Sequence, residues 1–317
     1  MAETKDISFV IPCYRSEQTI GNVVAEINTV MTEVVKKTYE IILVNDSSPD
    51  NTFETIRSLA DSSDNIIGIN LAKNFGQHAA LMAGMRASRG DIVVCLDDDG
   101  QTPANEVYKL LDKLAEGYDV CYASYGHKQH NGFRNFGSKV NELMTRIMLG
   151  KPKELYISSY FAAKRFIVDD MLRYEQPYAY VIGLVLRATR NIANVPVDHR
   201  AREIGNSGYT LKKLLGLWFN GFTAFSIKPL RIATFIGGLT ACTGFLYGLY
   251  TIIKKLILMD SVQAGYSATM SVLVFVGGMI MLMLGMIGEY VGRMYICMNN
   301  SPQYVIKEVV GAKNKLA

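Results

Sequence analysis

Asp97, Asp98 and Asp99, followed by Gly100 and Gln101, are the residues whose type and spacing point most directly to chemistry. They end a short apolar run, Asp91-Ile-Val-Val-Cys-Leu96, that reads as a buried parallel strand. Three adjacent carboxylates repel one another unless a cation sits among them. Hard divalent cations such as Mg²⁺ and Mn²⁺ favour carboxylate oxygens and share themselves with substrate phosphates. In open α/β sheets, ligands bind beyond the carboxyl ends of strands, which is where this cluster falls. Taken alone, the aspartates fit either a metal and phosphate seat or an acidic loop that is merely solvated.

The elements that must position this cluster alternate regularly. Ile7–Pro12 reads as a first strand, and a helix opens at Ser16 or Glu17 with apolar positions Ile20, Val23, Val24, Ile27, Val30 and Met31. Tyr39–Val44 is a second strand, ending in the polar loop Asn45–Thr52 that starts a capped helix. Asn65–Asn70 is a third strand. Gln77–Ser88 is a small-residue helix whose Ala80 and Gly84 allow close packing. After the acidic cluster, Pro103 starts a helix running to about Glu116, and Asp119–Ser124 is a fifth strand. Ser158–Arg165 reads as a strand leading into the helix Phe166–Arg173, and Asn191–Val197 as another strand. This alternation predicts a doubly wound α/β domain with a largely parallel sheet. No G-x-G-x-x-G follows the first strand, which argues against a dinucleotide oxidoreductase.

Bulk properties narrow the class. The chain has 317 residues, a net charge of +4 and 49% hydrophobic residues, concentrated after residue 230. So mild a charge gives no argument for nucleic acid. Lys212, Lys213, Lys228 and Arg231 lie just before the apolar part, which suits a membrane surface. Five scattered cysteines without a C-x-x-C pair argue against a disulfide framework and a zinc site, and a reducing cytoplasm fits. The N-terminus carries no apolar signal segment.

Two further strand ends add polar groups beside the aspartates: Pro12, Tyr14 and Glu17 after the first strand, Asn45 and Asp46 after the second. Each alone is weak, since Pro12 could be a breaker and Asp46 a helix cap. Together, Val10-Ile-Pro-Cys-Tyr14 with Glu17, Val44-Asn-Asp46-Ser-Ser-Pro-Asp50-Asn-Thr52 and Asp97-Asp-Asp99-Gly-Gln101 resemble the family 2 nucleotide-sugar glycosyltransferases of the GT-A fold. The resemblance implies that Pro12, Tyr14, Glu17, Asp46, Asp97 and Asp98 bind the nucleotide-sugar. It also implies that Asp97 and Asp99 hold Mg²⁺ or Mn²⁺, and that Asp97, Asp99 and Gln101 form the catalytic set. The family's second motif usually has two acidic residues where this chain has Asn45-Asp46, so the base-binding role carries over to Asp46 only.

The remaining sequence bears on an acceptor and a membrane. Phe133, Phe136, Val140, Leu143, Met144, Ile147 and Met148 recur at helical spacing with Arg134, Lys139 and Arg146 between them. That pattern fits a helix lying on a bilayer or one packed on the sheet. His199–Tyr209, rich in Arg, Gly and Ser, could wrap phosphates or be a surface loop. Leu211–Ile227 is amphipathic, with Trp218, Phe219, Phe222 and Phe225 as an interfacial set. Ile232–Ile253 and Met270–Gly288 run without a formal charge. Each is long enough to cross a hydrocarbon core of ~30 Å at ~1.5 Å per residue. Basic flanks place both chain ends on the cytoplasmic side, and Gly237, Gly238, Gly277 and Gly278 permit close helix contact.

His199-x-x-Arg202-x-x-Gly205-x-Ser207-x-Tyr209, Gly288-Glu-Tyr-Val-Gly-Arg293 and Pro302–Glu308 extend the resemblance, which covers nearly the whole chain, to polyprenyl-phosphate glycosyltransferases of the bacterial two-span type. That implies a GT-A catalytic domain over 1–208, an interfacial segment over 209–231, and two transmembrane helices within 232–291 (about 232–253 and 268–289). A cytoplasmic tail follows over 292–317. It further implies a nucleotide-sugar donor, a polyprenyl phosphate acceptor held by Arg134, Lys139, Arg200, Arg202 and Ser207, residence in the plasma membrane, and a tetramer. Related enzymes commonly carry an acidic residue just before the aromatic at the 160 region. This chain has none between Leu155 and Phe161. Other functions to weigh are transfer to a hydroxyl acceptor, although the Q-x-x-R-W motif of processive synthases is missing, a non-catalytic membrane scaffold, and a channel.

Overall fold

The alternating pattern builds one mixed sheet, in the order β7-β5-β6-β4-β1-β2-β3-β8. The computed structural model describes residues 5–125, 151–198 apart from 153, isolated helical positions between 235 and 253, and residues 266–299 and 301–311. The segments 133–148 and 209–231, the five acceptor-phosphate candidates and most of the first apolar run lie outside the described residues.

Four parallel strands form the centre: β1 (Ile7–Cys13), β2 (Tyr39–Asn45), β3 (Ile66–Leu71) and β4 (Ile92–Cys95). Their apolar runs are continuous because helices cover both faces. Helix α1 (Ile20–Val30) buries Ile20, Val23, Val24, Ile27 and Val30, a spacing that puts one stripe on the core. Helix α2 (Thr52–Asp61) buries Phe53, Ile56 and Ala60. Helix α3 (Gln77–Ala87) is almost wholly buried from Ala79 to Met85. It lies so close to the sheet that a Cβ on Gly84 would come within 2.4 Å of Val10 Cγ1, so glycine sets the packing distance there.

Pro12 lies inside β1 instead of closing it. The β1–β4 pairing stops at Val10–Cys95, so Pro12 faces no partner strand on that side that would need its missing N–H. Beyond β4, a 3₁₀ turn (Ala104–Glu106) leads into α4 (Val107–Ala115) and β5 (Val120–Tyr125).

The sheet departs from a largely parallel one at two places. β6 (Phe161–Lys164) inserts antiparallel between β4 and β5, pairing Cys95 with Phe161 and Tyr122 with Phe161. It continues into α5 (Arg165–Leu172), α6 (Val181–Ala188) and β7 (Ile192–Val197), which is parallel to β5. At the other edge, β8 (Ile306–Gly311) runs antiparallel to β3, with Arg57 and Glu308 paired at 3.1 Å. The segment read as a cytoplasmic tail therefore ends in a strand of the catalytic sheet. Its Ile306-Lys-Glu-Val-Val310 is too short to distinguish from a polar tail without knowing that the edge of β3 is open.

Residues 1–217 with 300–317 form one compact unit and 218–299 a second. In the second, α7 (Tyr266–Met298) is a single 33-residue helix. It extends past the expected span of 268–289. Phe275–Met298 within it has a mean hydropathy of 1.6 and is the one stretch among the described residues long and apolar enough to cross a membrane. Leu273, Phe275, Met281 and Leu284 are exposed on it. The apolar run before it approaches α7 at Gly237, where a Cβ would come within 3.0 Å of Met283 Cε.

Candidate active site

The parallel registers bring Cys13 beside Asn45, Asn45 beside Asn70, and Val10 beside Cys95, so the ends of β1, β2, β3 and β4 lie along one edge. The loops leaving those ends hold one another through side-chain bonds to backbone. Asp98 Oδ2 accepts the Tyr14 N–H at 2.9 Å. The Arg15 N–H donates to Ser48 Oγ at 2.7 Å and the Ser16 N–H to Thr52 Oγ1 at 3.0 Å. Glu17 Oε2 accepts the Asn51 N–H at 2.8 Å. Arg15 and Ser47 sit at φ +59° and +52°, left-handed positions that these bonds hold in place.

The Tyr14 ring is exposed, with the Arg15 guanidinium 5.6 Å from its centroid. A planar group stacking there would meet both a π face and a cation. Asp46 is buried, and its oxygens accept the Phe75 and Gly76 N–H groups at 2.7 and 2.8 Å. Burial pushes its carboxyl up from the ordinary value, against the pull of those two bonds. Asp46 thus closes the loop between β3 and α3, where Gly76 takes φ +91°.

The acidic cluster divides its work. Burial pushes the Asp98 carboxyl up to about 6; the bonds from Tyr14 and Ser16 oppose this, and the neighbouring Asp97 and Asp99 charges add to it. Asp99 Oδ1 accepts the Gln101 N–H at 3.1 Å. Asp97 Oδ1 accepts from Gln77 Nε2 at 2.9 Å, and its Oδ2 accepts from Ser159 Oγ. Burial holds the Cys13 and Cys95 thiols protonated, so neither is a nucleophile.

Three carboxylates at the end of β4, an exposed aromatic ring at the end of β1 and interlocked loops between them therefore share one edge of the sheet. The model of glycosyl transferase family 2 matches residues 8–172. The chain belongs to glycosyl transferase family 2. A second model, the GtrB C-terminal hairpin, matches residues 228–294 of the transferase. Undecaprenyl-phosphate 4-deoxy-4-formamido-L-arabinose transferases from Yersinia enterocolitica and Yersinia pseudotuberculosis are each 32% identical to it, over 98% of this chain and 95% of theirs. The same fold is seen in glucosyl-3-phosphoglycerate synthase from Mycobacterium tuberculosis, solved with Mn²⁺, UDP-glucose and phosphoglyceric acid. The TM-score is 0.50 at 21% identity, covering 68% of this chain and 76% of that one.

In the transferase, the structure brings Pro12, Tyr14, Glu17, Asp46, Asp97, Asp98, Asp99 and Gln101 to one edge of the sheet. Arg134, Lys139, Arg200, Arg202 and Ser207 lie outside the described residues. Asp46 and Glu17 accept backbone N–H groups, as do Asp98 from Tyr14 and Asp99 from Gln101, while Asp97 accepts from the Gln77 and Ser159 side chains. No group of three His, Cys, Asp or Glu able to hold a metal occurs among the described residues. Two carboxylate ligands fit a hard cation that completes its oxygen shell with substrate phosphates and water, as Mg²⁺ characteristically does.

Gln77 and Ser159 were not picked out as functional residues in the sequence. The available signals were a polar residue at the first position of α3 and a hydroxyl in a segment, Leu155–Phe161, that carries no acidic residue. His78, next to Gln77, is driven down to about 4 by burial and packs edge-on to Tyr180 at 5.1 Å, so it is a neutral ring.

Proposed function

We propose that this transferase moves a sugar from a nucleotide-sugar, a UDP-sugar by preference, to the phosphate of a membrane polyprenyl phosphate such as undecaprenyl phosphate. The observation that carries the reading is a single chain holding both the acidic strand end of a family 2 unit and a long helix with exposed apolar side chains. The first suits a charged, soluble donor and the second a lipid neighbour. The names of the Yersinia relatives and the match to the GtrB C-terminal hairpin support the same acceptor class, a two-span membrane anchor in the plasma membrane, and a cytoplasmic catalytic unit. The approach of Gly237 to Met283 supports a helical hairpin.

In this reading Tyr14 and its neighbours receive the nucleoside, with Asp98 fixing the Tyr14 backbone. Asp97 and Asp99 hold Mg²⁺ or Mn²⁺, with Gln101 beside them; the Mn²⁺ in the mycobacterial synthase structure supports that choice. When bound, a divalent cation neutralises charge on the diphosphate as it becomes the leaving group. The acceptor phosphate has a second pKa of about 6 and is largely dianionic at neutral pH, so it attacks C1 without a general base. Single displacement inverts the anomeric carbon. Arg134, Lys139, Arg200, Arg202 and Ser207 are assigned to the acceptor phosphate.

The test is transfer of radiolabelled sugar from a panel of nucleotide-sugars to undecaprenyl phosphate in membranes, with the lipid product identified by mass. The expected result is a metal-dependent lipid-linked sugar. Transfer to a soluble hydroxyl acceptor with no lipid product would replace this reading with glycan extension.

A further inference from the structure

We propose that Ser159 and Gln77 are positioning residues for the Asp97 carboxylate, holding it in the orientation from which it takes a divalent cation. The proposal rests on Asp97 and Asp99 being the metal seat. Its basis is the antiparallel insertion of β6. The ladder pairs Val94 with Ala162 and Cys95 with Phe161. Continued two residues, the same register sets Ser159 opposite Asp97, and Ser159 Oγ donates to Asp97 Oδ2. From the other side, Gln77 Nε2 donates to Asp97 Oδ1 at 2.9 Å.

Both donors stand on fixed ground. Next to Ser159, Tyr160 is fully buried and its carbonyl accepts the Ala123 N–H at 2.9 Å. Ser158 Oγ lies 2.8 and 2.9 Å from the Ala123 and Tyr160 carbonyls. Gln77 opens α3, a helix packed tightly on the sheet and preceded by the Phe75–Gly76 turn that Asp46 holds.

The chemistry of the donors matters as much as their place. A hydroxyl and an amide fix a carboxylate without carrying charge, so the attraction for a cation is undiminished; a lysine at either place would compete with it. Each carboxylate oxygen has two lone pairs, so the bond from Ser159 or from Gln77 does not by itself fill an oxygen. Partners that orient a metal ligand commonly change metal affinity by roughly 10–100-fold when removed.

The test is Mn²⁺ binding to the full-length protein in detergent at saturating UDP, read as free Mn²⁺ by electron paramagnetic resonance. UDP binding without metal is measured beside it. Ser159→Ala and Gln77→Ala should each weaken Mn²⁺ binding by roughly 10–100-fold, with metal-free UDP binding unchanged. Ser159→Thr, which keeps the hydroxyl, should restore it. Gln77 is exposed, so its truncation leaves the core intact if the Ser159 variant folds poorly. Wild-type Mn²⁺ binding in both alanine variants, alongside its loss in Asp99→Ala, overturns the positioning role and leaves the metal seat standing. Unchanged binding in Asp99→Ala overturns the metal seat itself. An equal loss of UDP affinity without metal also overturns the proposal, by placing Ser159 and Gln77 on the nucleotide.

Discussion

Asp46 and Asp97 follow two parallel strands that flank β1, and their surroundings put the same side chain to opposite uses. Asp46, at the end of β2, is 4% exposed and spends both oxygens on backbone N–H groups of one turn. Asp97, just past the end of β4, is oriented by two side chains from different elements and belongs to a run of three carboxylates. A carboxylate bonded to consecutive backbone amides is part of the fold, because removing it strands two donors. A carboxylate held by neutral side chains amid like charges is placed for something that brings positive charge. The contrast separates a loop lock from a ligand seat more sharply than position beyond a strand does.

The largest expected effect tests the ligand side. Asp99→Ala should lower sugar transfer on the order of 10³-fold, the scale seen when a preorganised charge stabiliser is lost, while its thermal midpoint stays near wild type. Asp46→Ala should do the reverse in character, costing roughly 2–3 kcal/mol of stability by leaving the Phe75 and Gly76 N–H groups unpaired. Thermal melting in detergent checks it. An undisturbed melt for Asp46→Ala together with a collapsed one for Asp99→Ala would invert the assignment of the two sites.

A smaller effect comes from pH. Burial raises the folded pKa of Asp46 above 3.8, so the folded state binds that proton more tightly than the unfolded state. Its contribution to stability is therefore present below about 3.8 and is lost as pH rises through the folded value. Asp46→Asn removes the titrating group, so the stability difference between wild type and variant should shift against the wild type over that interval; melting curves collected across it decide the sign. Smallest of all, Glu17→Ala gives up one part-exposed bond to the Asn51 N–H and should cost about 0.5–1.5 kcal/mol, with nucleotide affinity measured beside it to show whether Glu17 also reaches the donor.

Much of the fold was legible because long apolar runs and their spacing encode it. β1 to β4, α1 and α3 lie where the periodicity puts them, within a residue or a few at each end. The break at Pro12 was misplaced, since only the stopping point of the β4 pairing shows that a proline is tolerated inside the strand. The helix opening also shifted, from Ser16 or Glu17 to Ile20, with the Ser16 N–H bonded to Thr52 Oγ1 in the loop before it. β8 and α6 were missed: the first is a short mixed run that only an open sheet edge makes into a strand. The candidate site was legible in its residue types, less so in their roles. Asp46 resembled a nucleoside ligand in sequence, and the structure adds that its oxygens accept the Phe75 and Gly76 N–H groups.

The sequence by itself determined the family, the acidic strand end and the long apolar segments, because each is written in consecutive residues with a fixed period or motif. Only the tertiary structure decided that Ser159 and Gln77 meet Asp97, from 62 and 20 positions away, and that the last strand returns to β3. Those contacts depend on which edges pair and in what register. Pairing is settled by burial and backbone hydrogen bonding across the whole sheet, which no local stretch of residues records.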